Sequence, residues 1–94
     1  MFGMDESEFI ARALRDYLRP EVDEKTIQII DWDLFAGEPL AALFSGLGIA
    51  GERHIGLPAI FSEKILGLTG LSENEQAFVS EQLNSLPSSF QKAS

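Results

Sequence analysis

The sequence contains no cysteine. This absence excludes disulfide bonds, thiolate metal ligands and cysteine nucleophiles. Small secreted domains often depend on disulfides, so a chain of 94 residues without them is predicted to be cytoplasmic. Long apolar runs are missing too, since none approaches the roughly 20 residues that a membrane-spanning helix needs. Residues 1–8 are acidic where a secretory signal would be basic.

Basic residues are scarce, at 7 Lys and Arg against 15 Asp and Glu, which leaves a net charge of −8. A chain of this charge repels phosphate backbones and anionic lipids, so neither nucleic acid nor a membrane is expected as a partner. The same charge favours another protein, a basic one, because complementary fields speed encounter. The alternative is that the acidity only keeps the chain soluble.

Residues suited to catalysis or metal binding are also few. His54 is the only histidine, and neither an acid–base partner nor further metal ligands stand near it at the required spacing. Residues 46–51 match the letters G-x-G-x-x-G. The dinucleotide-binding motif needs a strand before these glycines, whereas an amphipathic helix is predicted there. We therefore predict no catalytic residue, no cofactor and no metal, and leave open whether Arg53 and His54 have a role.

Periodic apolar residues predict short helices, and the β-branched runs typical of strands are missing. The first helix begins after Asp5, a candidate cap with Glu8 reaching back to it, and is closed by Pro20. The apolar face of this helix is predicted to contain Phe9, Ile10, Ala13, Leu14, Tyr17 and Leu18.

Glycine and proline separate the middle helices. The second helix is predicted to begin near Asp23 and to end at Gly37 in a left-handed conformation. The third starts at Pro39, because proline is favoured in a first helical turn. The glycines at 46, 48 and 51 are expected to loosen the chain, so residues 48–56 are predicted to be a loop, with a short extended piece around Ile55.

The fourth helix is predicted over residues 58–66, and the fifth runs from the capping box at Ser72 and Glu75 to Pro87. The predicted apolar faces of these two helices are Ile60, Phe61, Ile65 and Leu68, and then Phe78, Val79, Leu83 and Leu86. The predicted fold class is all-α, a compact bundle of four to five short helices. Residues 1–87 are expected to form one domain and residues 88–94 a flexible tail.

Trp32 stands between two acids, Asp31 and Asp33. Two carboxylates two residues apart on a helix point in different directions, so they are not a catalytic pair. Trp32 also lies off the stripe that Ile27, Ile30 and Leu34 are predicted to form on the second helix. Two interpretations stay open: the indole packs into the core, or it is an exposed binding anchor, since tryptophan is enriched in interface hot spots.

Residues 37–43 read Gly-Glu-Pro-Leu-Ala-Ala-Leu. This segment resembles the G-E-P-x-x-A-L turn of small helical immunity proteins of the MafI type, which protect bacteria from their own polymorphic toxins. In that family an amphipathic helix precedes the turn. An I-x-L element follows the next helix, and residues 55–57 are the candidate match.

The resemblance implies a bacterial protein that binds a cognate toxin, often a nuclease with a basic active site, and inhibits it by occlusion. On this hypothesis the acid-rich residues 21–38 form the contact surface and Trp32 is its apolar anchor. The predicted partner-binding residues are Glu24, Asp31, Trp32, Asp33 and Glu38.

Two other classes of function remain as alternatives. One is a structural or regulatory homodimer that buries Ile29, Trp32 and Phe35 between two copies, because small domains often gain stability by association. The other is a small enzyme or ligand carrier, which would require a sizeable apolar cavity among the helices. The exposure of Trp32 and the oligomeric state discriminate between a free anchor and a dimer.

Overall fold

The computed structural model describes residues 5–87. These residues contain no strand, and the predicted all-α fold class is confirmed. A 3₁₀ turn at Arg19–Glu21 contains Pro20 and follows the first helix. The helices are α1 (Glu6–Leu18), α2 (Glu24–Phe35), α3 (Pro39–Arg53), α4 (Ala59–Leu66) and α5 (Glu73–Ser85). None of the helices in this part of the chain is long and apolar enough to cross a bilayer.

By its internal packing the chain divides into two compact units, Met1–Gly46 and Leu47–Ser94. The first unit holds α1, α2 and the start of α3, and the second holds the end of α3 with α4 and α5. The division of the chain into one domain over residues 1–87 stays a prediction. The predicted flexible tail, residues 88–94, lies outside the described residues.

Side-chain caps begin three helices where the sequence predicts them. Asp5 accepts a hydrogen bond from the backbone N–H of Glu8 at 2.9 Å, and Asp23 accepts one from the N–H of Thr26 at 3.3 Å. Ser72 starts α5 with the complete capping box, which is the reciprocal pair of bonds with Glu75 at 2.8 and 3.1 Å. Each bond satisfies a backbone donor that the helix itself leaves open.

One detail of the first cap differs from the prediction. Glu8 does not reach back to Asp5; its carboxylate instead accepts two bonds from Arg12, at 2.9 and 3.1 Å. An arginine four residues ahead on the same helix face is within reach of a glutamate and offers a charged partner. The pKa of Asp5 is lowered by the backbone bond from Glu8 and then by the bond from the Ser7 hydroxyl.

The junction between α2 and α3 confirms the predicted turn. Gly37 has a φ of +79°, and its N–H donates to the carbonyl of Leu34 at 3.1 Å. The next N–H, that of Glu38, reaches back to the carbonyl of Asp33 at 2.9 Å. These two bonds form a Schellman motif with glycine at its left-handed position. Pro39 is then the first residue of α3, where a missing N–H costs nothing.

Helix α3 is longer than predicted. The loop expected over residues 48–56 is wrong for residues 48–53, because the helix continues through Gly48 and Gly51 to Arg53, and right for residues 54–56, which lie outside the helix. The residues that match G-x-G-x-x-G therefore lie inside a helix. A Cβ on Gly46 would stand 2.7 Å from Leu14 Cδ2, so this glycine permits a close approach between α3 and α1. The helical glycine is thus explained by packing, although glycine lowers helix propensity.

His54 ends α3 rather than occupying a glycine-rich loop. It has a φ of +56°, and its N–H donates to the carbonyl of Gly51 at 3.3 Å. The N–H of Ile55 donates to the carbonyl of Ala50 at 2.8 Å. This is a second Schellman motif, with histidine in the position that glycine usually fills. The few residues that follow, up to Pro58, link α3 to α4 without a strand.

Apolar side chains that face inward form the core of each unit. In the first unit α1 packs against α2, and in the second α4 packs against α5. The predicted faces are correct except at three exposed residues, Phe9, Ile60 and Phe78. Phe9 and Phe78 each precede a buried residue, and neighbours on a helix point about 100° apart, so only one of the two can be central to a face. The fully buried large side chains are Leu14, Leu18, Ile27, Ile30, Leu43, Leu47, Ile65 and Val79.

Candidate protein-binding surface

Helix α2 has two apolar faces of opposite exposure. Ile27, Ile30 and Leu34 are buried and form its inner face, as predicted. Three other side chains form what we call the α2 outer face: Ile29 is 52% exposed, Trp32 70% and Phe35 94%. The interpretation that Trp32 packs into the core is therefore wrong for this chain taken by itself.

The three outer residues lie on one side of the helix. They are spaced three residues apart, and each step rotates the direction by −60°, so together they span an arc of roughly 120°. Trp32 is at the centre of this arc. On the same helical projection Asp31 lies beyond Phe35 at one edge and Asp33 lies beyond Ile29 at the other.

Asp31 at the first edge is bound by two arginines of the preceding segment. Its Oδ1 accepts a hydrogen bond from Arg15 Nη1 at 3.0 Å, and its Oδ2 lies 3.5 Å from Arg19 Nη2. Arg15 also binds Asp16 at 3.0 Å, and Arg19 also reaches Glu24 at 3.5 Å. Two guanidinium groups thus face three carboxylates, so this edge keeps a negative charge.

Arg15 has the least exposed side chain of this network. Burial disfavours its charged form, but the hydrogen bonds to Asp31 and Asp16, together with the negative charges of these two carboxylates, raise the pKa of Arg15 above its ordinary value. A guanidinium is already charged at any ordinary pH. The ion pair to Asp31 therefore persists wherever the carboxylate is ionised.

Asp33 at the second edge is held by a different helix. Its Oδ2 accepts a hydrogen bond from the hydroxyl of Ser45 on α3 at 3.1 Å. The two acids beside Trp32 are therefore tied to α1 and its 3₁₀ turn on one side and to α3 on the other. Both ties oppose rotation of α2 about its axis, so they help to keep Trp32 directed outward.

The other two predicted partner-binding acids are more dispersed. Glu24 lies in the first turn of α2, beside Arg19, whereas Glu38 is exposed just after the helix ends. Five predicted residues therefore occupy one helix and its ends, but they do not form one cluster of free carboxylates. The arginines and Ser45 were not among the residues predicted for this surface. The signal for the arginines is the spacing of Arg12, Arg15 and Arg19 at three and four residues along α1 and into the turn after it, followed by an acid-rich helix.

An open cleft lies against the exposed aromatic rings. It has a volume of about 340 Å³, and the described residues that line it, Asp31, Trp32 and Phe35, expose almost only apolar surface to it. Asp31, the titratable residue among its described lining residues, is already ion-paired. The cleft therefore offers aromatic surface and negative charge at one edge, which suits binding.

The second unit has a smaller cavity, of about 170 Å³, formed by residues of α4, α5 and the turn between them. Within residues 5–87 no three of the His, Asp and Glu side chains lie close enough together to hold a metal ion. His54 is exposed at the end of α3, where its backbone, rather than its imidazole, has a visible structural task.

Comparison with family models, curated proteins and solved structures finds no match to this chain.

Proposed function

We propose that this chain is a non-catalytic protein-binding module that docks a basic protein through the α2 outer face. The observation that carries the proposal is an exposed tryptophan and an almost fully exposed phenylalanine on one face of an acid-rich helix. Exposure of a large aromatic side chain is costly in water unless a partner covers it. Tryptophan is also one of the residues enriched in interface hot spots, which cluster near the centre of a contact patch.

The charge of the first unit supports a basic partner. Residues 1–46 carry ten acidic and four basic residues, whereas residues 47–94 carry five and three. The excess acid thus belongs to the half of the chain that also carries the α2 outer face. An oppositely charged protein would be steered to this half, and its association would slow as salt increases.

The resemblance to MafI-type immunity proteins supplies a specific version of this proposal. The partner would be a cognate toxin of the same bacterium, and the chain would act in the cytoplasm by covering the toxin's basic active site. The turn at residues 37–43, which carries the resemblance, directly follows the α2 outer face. Glu38 would then extend the acidic rim of the contact.

A homodimer is the second candidate, favoured by the same exposed residues. Two copies could cover Ile29, Trp32 and Phe35 by packing their outer faces together. Each copy carries a net charge of −8, however, and like charges oppose this association. We therefore place the basic partner first.

The test is affinity capture of the tagged chain from its own cells, compared with two variants. Trp32→Ala removes the centre of the outer face, whereas Ile60→Ala removes a comparably exposed apolar side chain from α4. We expect one stoichiometric basic protein with the parent chain and with Ile60→Ala, released by high salt and lost with Trp32→Ala. If the captured protein is a nuclease, adding the chain should abolish its activity.

The homodimer makes a different prediction in the same experiment. Only an untagged copy of the chain would then be retained, and light scattering would show a dimer that Trp32→Ala converts to a monomer. Equal capture of a partner by the parent and by Trp32→Ala would contradict both candidates, since neither would then use this face.

A further inference from the structure

The C-terminal end of α2 is the most exposed apolar part of the described chain. Phe35 is the last residue of the helix, and Trp32 lies one turn before it. The cleft of about 340 Å³ is lined by these two rings and by Asp31. The chemistry of this end therefore determines what the cleft can accept.

The end of α2 is negative and lacks a cation of its own. The last turns of α1, α3 and α4 contain Arg15, Arg53 and Lys64, whereas the last turns of α2 and α5 contain no basic residue. A helix C-terminus carries about half a negative charge, which a nearby cation stabilises. The only lysine of α2, Lys25, lies roughly 15 Å away along the axis at 1.5 Å per residue.

The acids around this end add to its negative potential. Asp33 lies in the last turn, and Glu38 follows within the junction to α3. The arginines that reach Asp31 are matched by Asp16 and Glu24, as described above, so they do not reverse the sign. A cation entering the cleft would therefore meet favourable charge together with two aromatic faces.

We propose that the cleft lined by Asp31, Trp32 and Phe35 binds an arginine side chain of the basic partner. This inference rests on the proposed function and names the group that the outer face recognises. A guanidinium is planar and weakly hydrated, so it stacks on exposed indole and phenyl rings while its N–H groups still reach carboxylates. An ammonium is strongly hydrated and compact, and a neutral side chain gains nothing from the negative helix end.

The experiment uses three blocked peptides of equal length as probes, each with four arginine, four lysine or four citrulline residues separated by glycine. Citrulline has the shape of arginine without its charge. Binding to the full chain is followed by the fluorescence of Trp32, the only tryptophan. We expect the arginine peptide to bind about two- to fivefold more tightly than the lysine peptide, as cation–π energies at exposed sites imply, and the citrulline peptide to bind weakest.

The variant Phe35→Leu tests whether the preference for arginine depends on the phenyl ring that lines the cleft. Phe35→Leu keeps an apolar side chain at a fully exposed position, so the fold is expected to be unchanged by circular dichroism. It should remove the preference for arginine over lysine. The matched control is Phe9→Leu, which changes an exposed phenylalanine of α1 and should keep that preference.

Two results would overturn this inference. If the citrulline peptide bound as tightly as the arginine peptide, the cleft would be an apolar docking site without cation selectivity. If Phe35→Leu kept the full preference, arginine would bind elsewhere through general charge attraction. Neither result touches the capture experiment with Trp32→Ala, which tests the proposed function separately.

Discussion

The two faces of α2 are similar in composition and opposite in environment. The inner face consists of two isoleucines and a leucine that are buried, and the outer face of an isoleucine and two aromatic residues that are exposed. A helix that is apolar on two sides has more apolar surface than one core can cover. The inner face therefore contributes to the core, whereas the outer face stays exposed and is the surface that we propose for a partner.

Stability measurements would test that division most directly. Ile30→Ala removes a fully buried side chain and should lower the free energy of unfolding by about 2–4 kcal/mol, because it leaves a cavity. Trp32→Ala removes a larger side chain, but one that is mostly in water, and should change stability by less than about 0.5 kcal/mol. Urea denaturation followed by circular dichroism measures both, without relying on the tryptophan.

A large loss of stability in Trp32→Ala would contradict the comparison. It would show that the indole is buried in solution, either within the chain or between two copies. Repeating the measurement at several protein concentrations separates these cases, since only the stability of a dimer rises with concentration.

The two faces of α2 were predictable from the spacing of its residues. Helical periodicity places Ile27 and Ile30 together and sets Trp32 apart from them. Periodicity does not determine which of the two apolar faces is buried, because burial depends on which helices pack against α2. The sequence alone therefore leaves open whether the Trp32 side chain packs into the core or is exposed, and the structure shows that it is exposed.

The ion pairs and the hydrogen bond that flank Trp32 were not predictable from the spacing of residues. Arg15 is 16 positions before Asp31, and Ser45 is 12 positions after Asp33. Contacts over such separations depend on how the helices are rotated against each other, and several rotations would satisfy the same apolar pattern. The local features, such as the caps at Asp5 and Ser72, were predicted because they depend only on residues three positions apart.

Two glycines of α3 also differ in environment, since Gly46 is buried against α1 and Gly48 is exposed. Gly46→Ala places a methyl group against the buried Leu14, and overpacking should outweigh the gain in helix propensity, for a net loss of stability of about 1 kcal/mol.

Gly48 is exposed, with nothing within 4 Å of an added Cβ. Gly48→Ala should therefore stabilise the chain by about 0.5–1 kcal/mol. Thermal unfolding of the two variants checks the opposite signs.

If both alanine variants were stabilising, α3 would not approach α1 as closely as the structure indicates. These glycines also explain why the length of α3 was mispredicted. Three glycines in six positions predict a loop by propensity, because glycine favours flexible backbone. The rule fails here since Gly46 is needed where two helices touch, and the helix around it is stabilised by the burial of Leu47 and Ala50.

The ends of α2 and α3 share the Schellman motif but differ in the residue at its left-handed position. Gly37 has a φ of +79° and open space around it, so Gly37→Ala should lower stability by about 1 kcal/mol through backbone conformation alone.

His54 has a φ of +56°, which strains a residue with a Cβ, and His54→Gly should relieve that strain. The greater freedom of glycine in the unfolded chain offsets part of the relief, so we expect a gain of about 0.5 kcal/mol by urea denaturation. A clear loss of stability in His54→Gly would show instead that the imidazole makes a contact worth more than the strain, and His54 would then become a candidate functional residue.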